Sequence, residues 1–260
     1  MEIPLLRILT VVICVLAMAG CTTPLPTTPP AGMPAAVQPV EPRVGEAWAY
    51  AVRDGYTGLP HGTWHYRVEE KYPDFYTVLA THIAPDGRVV TQRHEHYTLQ
   101  GNWLETAMTN LPVFHYDPPY AAFVFPLEAG ESWHSFVSAI DTVTTRRNRA
   151  RIDGTVVGWE RIAVPAGLYD TLKVRRAVYA GNHDFFRGEE NITEIEWYAP
   201  RLGRAVRRET NSGYIDRSRS CSRFSGCGWV RNDWLIWEMI WHDGHGSTAE
   251  NAAETPRTLQ

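Results

Sequence analysis

A chain of 260 residues with a formal charge of −4 and 44% apolar residues has material for one substantial folded domain. It lacks the basic excess of a nucleic-acid footprint. Lysine occurs only at Lys71 and Lys173, so no Gly-Lys-Ser/Thr phosphate loop and no Ser-x-x-Lys nucleophile pair is present.

The chain opens with Arg7 as a positive flank and an apolar run from Ile8 to Ala17, too short to remain as a membrane span. The run ends in Met18-Ala19-Gly20-Cys21. Small residues directly before a cysteine resemble the lipobox of bacterial lipoproteins, although Met18 stands where leucine is usual. The resemblance covers the first 21 residues. It implies cleavage after residue 20 and acylation of Cys21, with three acyl chains anchoring the protein to a membrane it does not cross. Thr22, in place of the aspartate that retains such proteins at the inner membrane, implies the periplasmic leaflet of the outer membrane.

Residues 21–43 read as a stalk. Their prolines remove backbone donors and favour extended conformation, with a reach of roughly 60 Å at about 3.1 Å per residue.

From residue 44 to 243 the hydrophobic period is two almost throughout, the mark of antiparallel strands with one wet face. Trp64, Tyr66 and Val68 alternate with His65 and Arg67. Leu172 and Val174 alternate with Lys173 and Arg175. Ile195 and Trp197 are set against Glu194 and Glu196, which read as the wet face. Strands are expected near 47–53, 62–71, 74–83, 88–98, 102–107, 121–125, 131–139, 141–147, 149–164, 169–180, 190–199, 204–211 and 229–241. The expected class is all-β: a large antiparallel meander, curved or half-barrel, with little helix outside the signal peptide.

A short echo links Pro42-Arg43-Val44-Gly45-Glu46-Ala47-Trp48 with Pro126-Leu127-Glu128-Ala129-Gly130-Glu131-Ser132-Trp133, with one inserted residue. It suggests two similar halves, 44–120 and 121–243, joined through the Pro-rich segment 110–120. Residues 244–260 are polar, lack periodicity and are expected to be disordered. Pro165 and Gly167 in VPAG, and Pro200 and Gly203 in APRLG, suit turn positions between strands. These turns, with the Gly-Glu-x-Trp corners, resemble a broad set of uncharacterised bacterial envelope β-proteins over residues 44–241. The resemblance implies a curved sheet, distantly similar to the lipoprotein-carrier (Lol-type) half-barrels. Those carriers close their sheet with helices, for which this chain shows no pattern.

Cys14 leaves with the signal, so Cys221 and Cys227 remain for an oxidising compartment, and a disulfide between them is expected. The strand at 229–241 is apolar on both faces. Leu235, Trp237, Met239 and Trp241 lie on one side, Trp234, Ile236 and Ile240 on the other. Cover by protein on both sides is one reading. A groove or stacking platform for an acyl chain or glycan, using Trp234, Trp237 and Trp241, is the alternative.

His94 and His96 share a strand face with metal-ligand spacing but no identifiable third ligand. His242, Asp243 and His245, and the segment His183 to Glu190, are weaker clusters. Arg147, Arg149 and Arg151 share one face, and Arg207-Arg208 form a second basic segment. Both fit headgroup phosphate or a solvated face paired with glutamates. No nucleophile elbow and no His-Glu-x-x-His pair occurs.

The sequence therefore points to a non-enzymatic, lipid-anchored outer-membrane lipoprotein that binds or scaffolds in the envelope, with no cofactor. Its expected partners are the membrane and an envelope protein, glycan or lipid, and not nucleic acid. A carrier of amphiphiles and a metal-dependent hydrolase using His94 and His96 are the alternatives.

Overall fold

The structure, a computed structural model, describes residues 25–108, 113–181, 187–216 and 228–243. Twelve strands run in chain order: β1 (Ala47–Asp54), β2 (Pro60–Lys71), β3 (Phe75–Ile83), β4 (Val89–Thr98), β5 (Trp103–Ala107), β6 (Val113–Tyr120), β7 (Ser132–Asp141), β8 (Arg147–Val164), β9 (Gly167–Ala180), β10 (Arg187–Ala199), β11 (Arg204–Asp216) and β12 (Gly228–Asp243). Each pairs antiparallel with its neighbours, and β1 pairs with β12, closing a barrel. The all-β meander is as expected, but the sheet closes fully on itself, which leaves no strand edge exposed. The segment 110–120, expected to link two halves, supplies β6, and 121–125 forms no strand.

The outer wall carries Lys173 with Glu160, Arg207 with Glu238, Arg67 with Glu69 and Arg151 with Asp153. Such a wall is unlike the apolar band of a barrel that crosses a bilayer. The lumen is filled by aromatic and aliphatic side chains in two adjoining clusters, one around Tyr116, Ile152 and Leu172, the other around Tyr50, Val68 and Met239.

The two halves match far beyond the sequence echo. Gly45 and Gly130 both take positive φ (87° and 98°). Their amides donate to Val68 O and Val156 O, while Val68 N and Val156 N donate back to Glu46 O and Glu131 O. Pairing then slips at the same place, after Val68 against β3 and after Val156 against β9. It slips again after His96 and after Trp197 on the next-but-one pair. The hairpins of both halves use one turn. Asp54 Oδ1 accepts from the amides of Tyr56 and Thr57, and Asp141 Oδ1 from those of Val143 and Thr144. A left-handed residue, Gly58 or Thr145, follows in each. Bulges at matched positions in one barrel describe a six-strand unit used twice.

The proline-rich stretch expected to be a free stalk is bound to the barrel from Leu25 onward. Trp159 N donates to Pro26 O at 2.8 Å, and Val37 forms a two-bond bridge with Leu127 at 2.8 and 3.0 Å. Val37 is only 2% exposed, and Val40 lies over Gly203. The prolines leave few donors to satisfy, so this strand-like segment packs by side chains and makes few ladder bonds.

Matched corners also share a packing device. Trp48 stacks on Tyr66 (5.4 Å, 7°), and at the equivalent pair Trp133 lies over Gly154. A Cβ at Gly154 would meet the indole at 2.2 Å, and that indole is held by its bond to Ala121 O. Gly154→Ala is therefore expected to destabilise by about 1–3 kcal/mol, read as a lower urea midpoint with unchanged m-value. An unchanged midpoint would show that the Trp133 seat is loose.

Candidate functional site

Strand β9 continues the phase of Leu172 and Val174 to Arg176, which places a guanidinium in the lumen with 0% exposure. Opposite it, β10 turns Glu194 and Glu196 inward, reversing the reading in which they formed the wet face. Arg176 Nε donates to Glu194 Oε2 (2.7 Å), Nη2 to Glu196 Oε1 (2.8 Å) and Nη1 to Ala122 O (2.8 Å). Tyr120 donates to the same Glu194 oxygen at 2.7 Å. Burial works against both charges. Arg176 and Arg208 nevertheless hold the Glu196 carboxyl below its usual value, and Glu196 and Glu194 hold Arg176 protonated.

With its acids facing inward, β10 turns Trp197 to the outside, where Glu160 accepts from its Nε1 and Lys173 and Arg207 lie over its ring. Apolar and charged residues have exchanged faces because the lumen supplies cations to pair the acids.

Above this layer, towards the β1–β2 and β3–β4 turns, a cavity of about 190 Å³ opens. One wall is Trp64, stacked on His82 (4.9 Å, 4°), with the Arg93 guanidinium 4.8 Å above its ring. Arg93 makes a two-point bond to Glu95 (2.8 and 2.6 Å), whose other oxygen accepts from Tyr97. Burial, with Glu95 next, pushes the Tyr97 phenol well above its ordinary range, so it serves as a donor and not as a base.

The opposite wall is Arg208, held between Trp103 and Trp237 at 5.8 and 5.6 Å. Its Nε lies 3.2 Å from Glu196, and its two terminal nitrogens have no acceptor among the described residues. Polar lining comes also from His61, Thr106, Glu194, Thr210 and Asp233, and apolar lining from Val52, Ala107 and Leu235. Arg208, Tyr66, Tyr97 and Trp103 also border a smaller space below, so they form the cavity floor.

The sequence candidates scatter. Of the three tryptophans, only Trp237 lines the cavity. Trp234 packs outside against Tyr56 and over Gly55. Trp241 is put out of phase by a register slip at Ile240 and lies half-exposed at the other end. His94 and His96 face outward, paired with Glu69 (3.0 Å) and Glu105 (3.8 Å), while Glu95 between them faces the lumen. Among the described residues no three His, Cys, Asp or Glu side chains are placed to share a metal. Arg147, Arg149 and Arg151 are exposed on β8, with Arg151 bound to Asp153. Arg207 is paired outside, but Arg208 turns inward. Cys21, Cys221 and Cys227 lie outside the described residues.

No family model matches the chain, and no curated protein matches it. Its fold does have solved counterparts. One is a predicted lipoprotein from Parabacteroides distasonis, with a TM-score of 0.50 and 17% identity over 81% of this chain and 100% of that one. A predicted exported protein with a YmcC-like fold from Bacteroides fragilis gives 0.46 and 16% over 81% and 100%. The hypothetical lipoprotein YmcC of Escherichia coli gives 0.41 and 10% over 76% and 84%.

Arg176→Met would leave Glu194 buried without a cation, and a loss of about 3–5 kcal/mol is expected. The pH dependence also weakens. Glu196 has a lowered folded pKa, so its contribution is present above the carboxylate's ordinary value of 4.5 and is lost as pH falls through the folded value. In the variant Glu196 loses the Arg176 share of that contribution, so the loss of stability on acidification is shallower. Parallel curves for the two proteins in chemical denaturation would contradict the network.

Proposed function

We propose that this protein is a lipid-anchored lipoprotein, held on the periplasmic leaflet of the outer membrane by acylated Cys21. Its barrel binds an uncharged sugar unit of an envelope glycan without transforming it. The lipobox supports the anchor, and the polar outer wall supports a body that sits outside the bilayer. The described counterparts termed lipoproteins are in keeping with this.

The observation that carries the binding reading is Arg208. A guanidinium clamped between two indoles, with two terminal nitrogens free of protein acceptors, is a donor fixed in advance of any ligand. Each guanidinium of the lumen faces a carboxylate, Arg93 with Glu95, and Arg176 and Arg208 with Glu194 and Glu196, and Asp233 adds a further acid to the cavity lining. A neutral ligand rich in hydroxyl oxygens suits such a site better than an anion. The C–H face of a pyranose can lie on an indole while its oxygens accept from Arg208. The volume is below the ~300 Å³ at which pockets for drug-sized ligands begin, which suits one sugar ring and not an acyl chain. The two tyrosines of the lining, Tyr66 and Tyr97, are pushed up by burial and so present donors to a ligand.

Titration of the soluble domain with neutral hexoses, followed by tryptophan fluorescence and amide NMR shifts, is expected to saturate in the millimolar range. Arg208→Gln should abolish it with the circular dichroism spectrum unchanged. A domain indifferent to neutral sugars, or a variant that binds equally well, would remove the reading. Cys21→Ala should convert the membrane-bound protein into a soluble periplasmic one; continued retention in membranes would refute the anchor.

A further inference from the structure

We infer that the lower end of the barrel, opposite the cavity, is a membrane-contact face seated on the leaflet that carries the chain's own anchor. We further infer that a groove at this end receives anionic phospholipid headgroups. The inference rests on the Cys21 anchor proposed above and goes beyond it, because an anchor alone leaves a barrel free to tumble.

Chain length sets the first constraint. Leu25 lies against Gly158 on β8, just past the point where Val156 pairs with the Gly130 corner at the lower end. Four residue steps from Cys21 to Leu25 span at most about 14 Å. The eight residues of β1 rise about 26 Å. The upper rim, with its exposed Leu59, Val89 and Val143, is therefore too far from the anchor to share its bilayer. What was expected to be a long spacer is instead a strap that holds the lower end close to the membrane.

Surface chemistry supplies the second argument. A groove of about 430 Å³ at the lower end is lined by Val40, Val44, Leu202, Arg43 and Arg201, with Gly45, Glu41, Glu46, His242 and Asp243. Val44 is 61% exposed and Val40 is exposed as well, and half-exposed Trp241 precedes the groove residue His242 on β12. The groove's acids are largely engaged. Glu41 binds Lys71, and Glu46 binds Arg204 and His242. Burial opposes the charge on Glu46, but His242 and Arg204 still hold its carboxyl below its ordinary value.

The guanidinium groups of Arg43 and Arg201 have no acidic partner among the described residues, and Asp243 is the remaining acid. Exposed valines beside two arginines without acidic partners form the pattern of an interfacial surface. Apolar groups enter the acyl boundary while the cations meet phosphate. The side walls, laced with ion pairs such as Lys173–Glu160 and Arg151–Asp153, would have to be desolvated to lie on lipid.

The test uses the acylated full-length protein in vesicles of phosphatidylethanolamine and phosphatidylglycerol, with its acyl mass verified. Val44→Cys and Val143→Cys, both at exposed sites, carry a nitroxide, and the unsubstituted protein treated alike sets the background from the native cysteines. Power-saturation spectroscopy should find the label at 44 several-fold less accessible to an aqueous nickel chelate than the label at 143, and more accessible to oxygen. Adding Arg43→Glu and Arg201→Glu should raise nickel access at 44 towards that at 143. Acylated protein with both labels equally aqueous, or with the label at 143 shielded, overturns the orientation while leaving the anchor intact. Protein that carries no acyl mass removes the anchor and this face with it.

Discussion

Arg176 carries a full charge inside a twelve-strand barrel, and five surrounding groups are positioned by it directly or through its carboxylates. It receives Glu194 and Glu196 from β10 and a main-chain oxygen from the β6–β7 connection, and through Glu194 it ties in Tyr120 of β6. Through Glu196 it also fixes Arg208 on β11. A buried ion pair of this kind adds little net stability compared with a hydrophobic filling. What it does impose is register, since a one-residue slip of β10 would carry both carboxylates to the outer wall.

The doubled six-strand unit explains why a cavity forms on one side only. Facing positions are filled in complementary ways: Tyr66 pairs with Ala80 in the first half, and Gly154 pairs with Arg176 in the second. At the next strand the first half has Arg93 where the second has Glu194, while Glu95 matches Glu196 and Tyr97 matches Tyr198. The second half completes its charge network with Arg176. The first half closes its own on the neighbouring Arg93–Glu95 pair and leaves space beside Trp64 and His82. One unit therefore fills its interior with ions, and its copy keeps room for a guest.

The architecture was largely legible in the sequence. Alternation placed most strands, the Pro-Gly turns fell between them, and Trp64, Tyr66 and Val68 face inward as their spacing suggests. The lumen chemistry was not legible. Period two tells which residues share a face but not which face is buried, and Glu194 and Glu196 beside Ile195 and Trp197 give the wrong answer under any rule that sends charge to water. Arg176 in phase with Leu172 and Val174 was the available sign that this barrel has a polar interior. The segment 113–120 was hidden by its two prolines, which its position in a strand with few ladder bonds tolerates. The bound strap was invisible because prolines report extension, and extension is shared by a free arm and a docked one.

The strap also has a temporal meaning. Its docking sites, Leu127, Trp159 and Gly203, are supplied by parts of the chain a hundred or more residues further on for two of the three. Synthesis from the amino end delivers the strap long before β8 and the β10–β11 turn exist. Its apolar residues therefore have no seat until the circle of strands is joined, so the strap is made first and docks among the last.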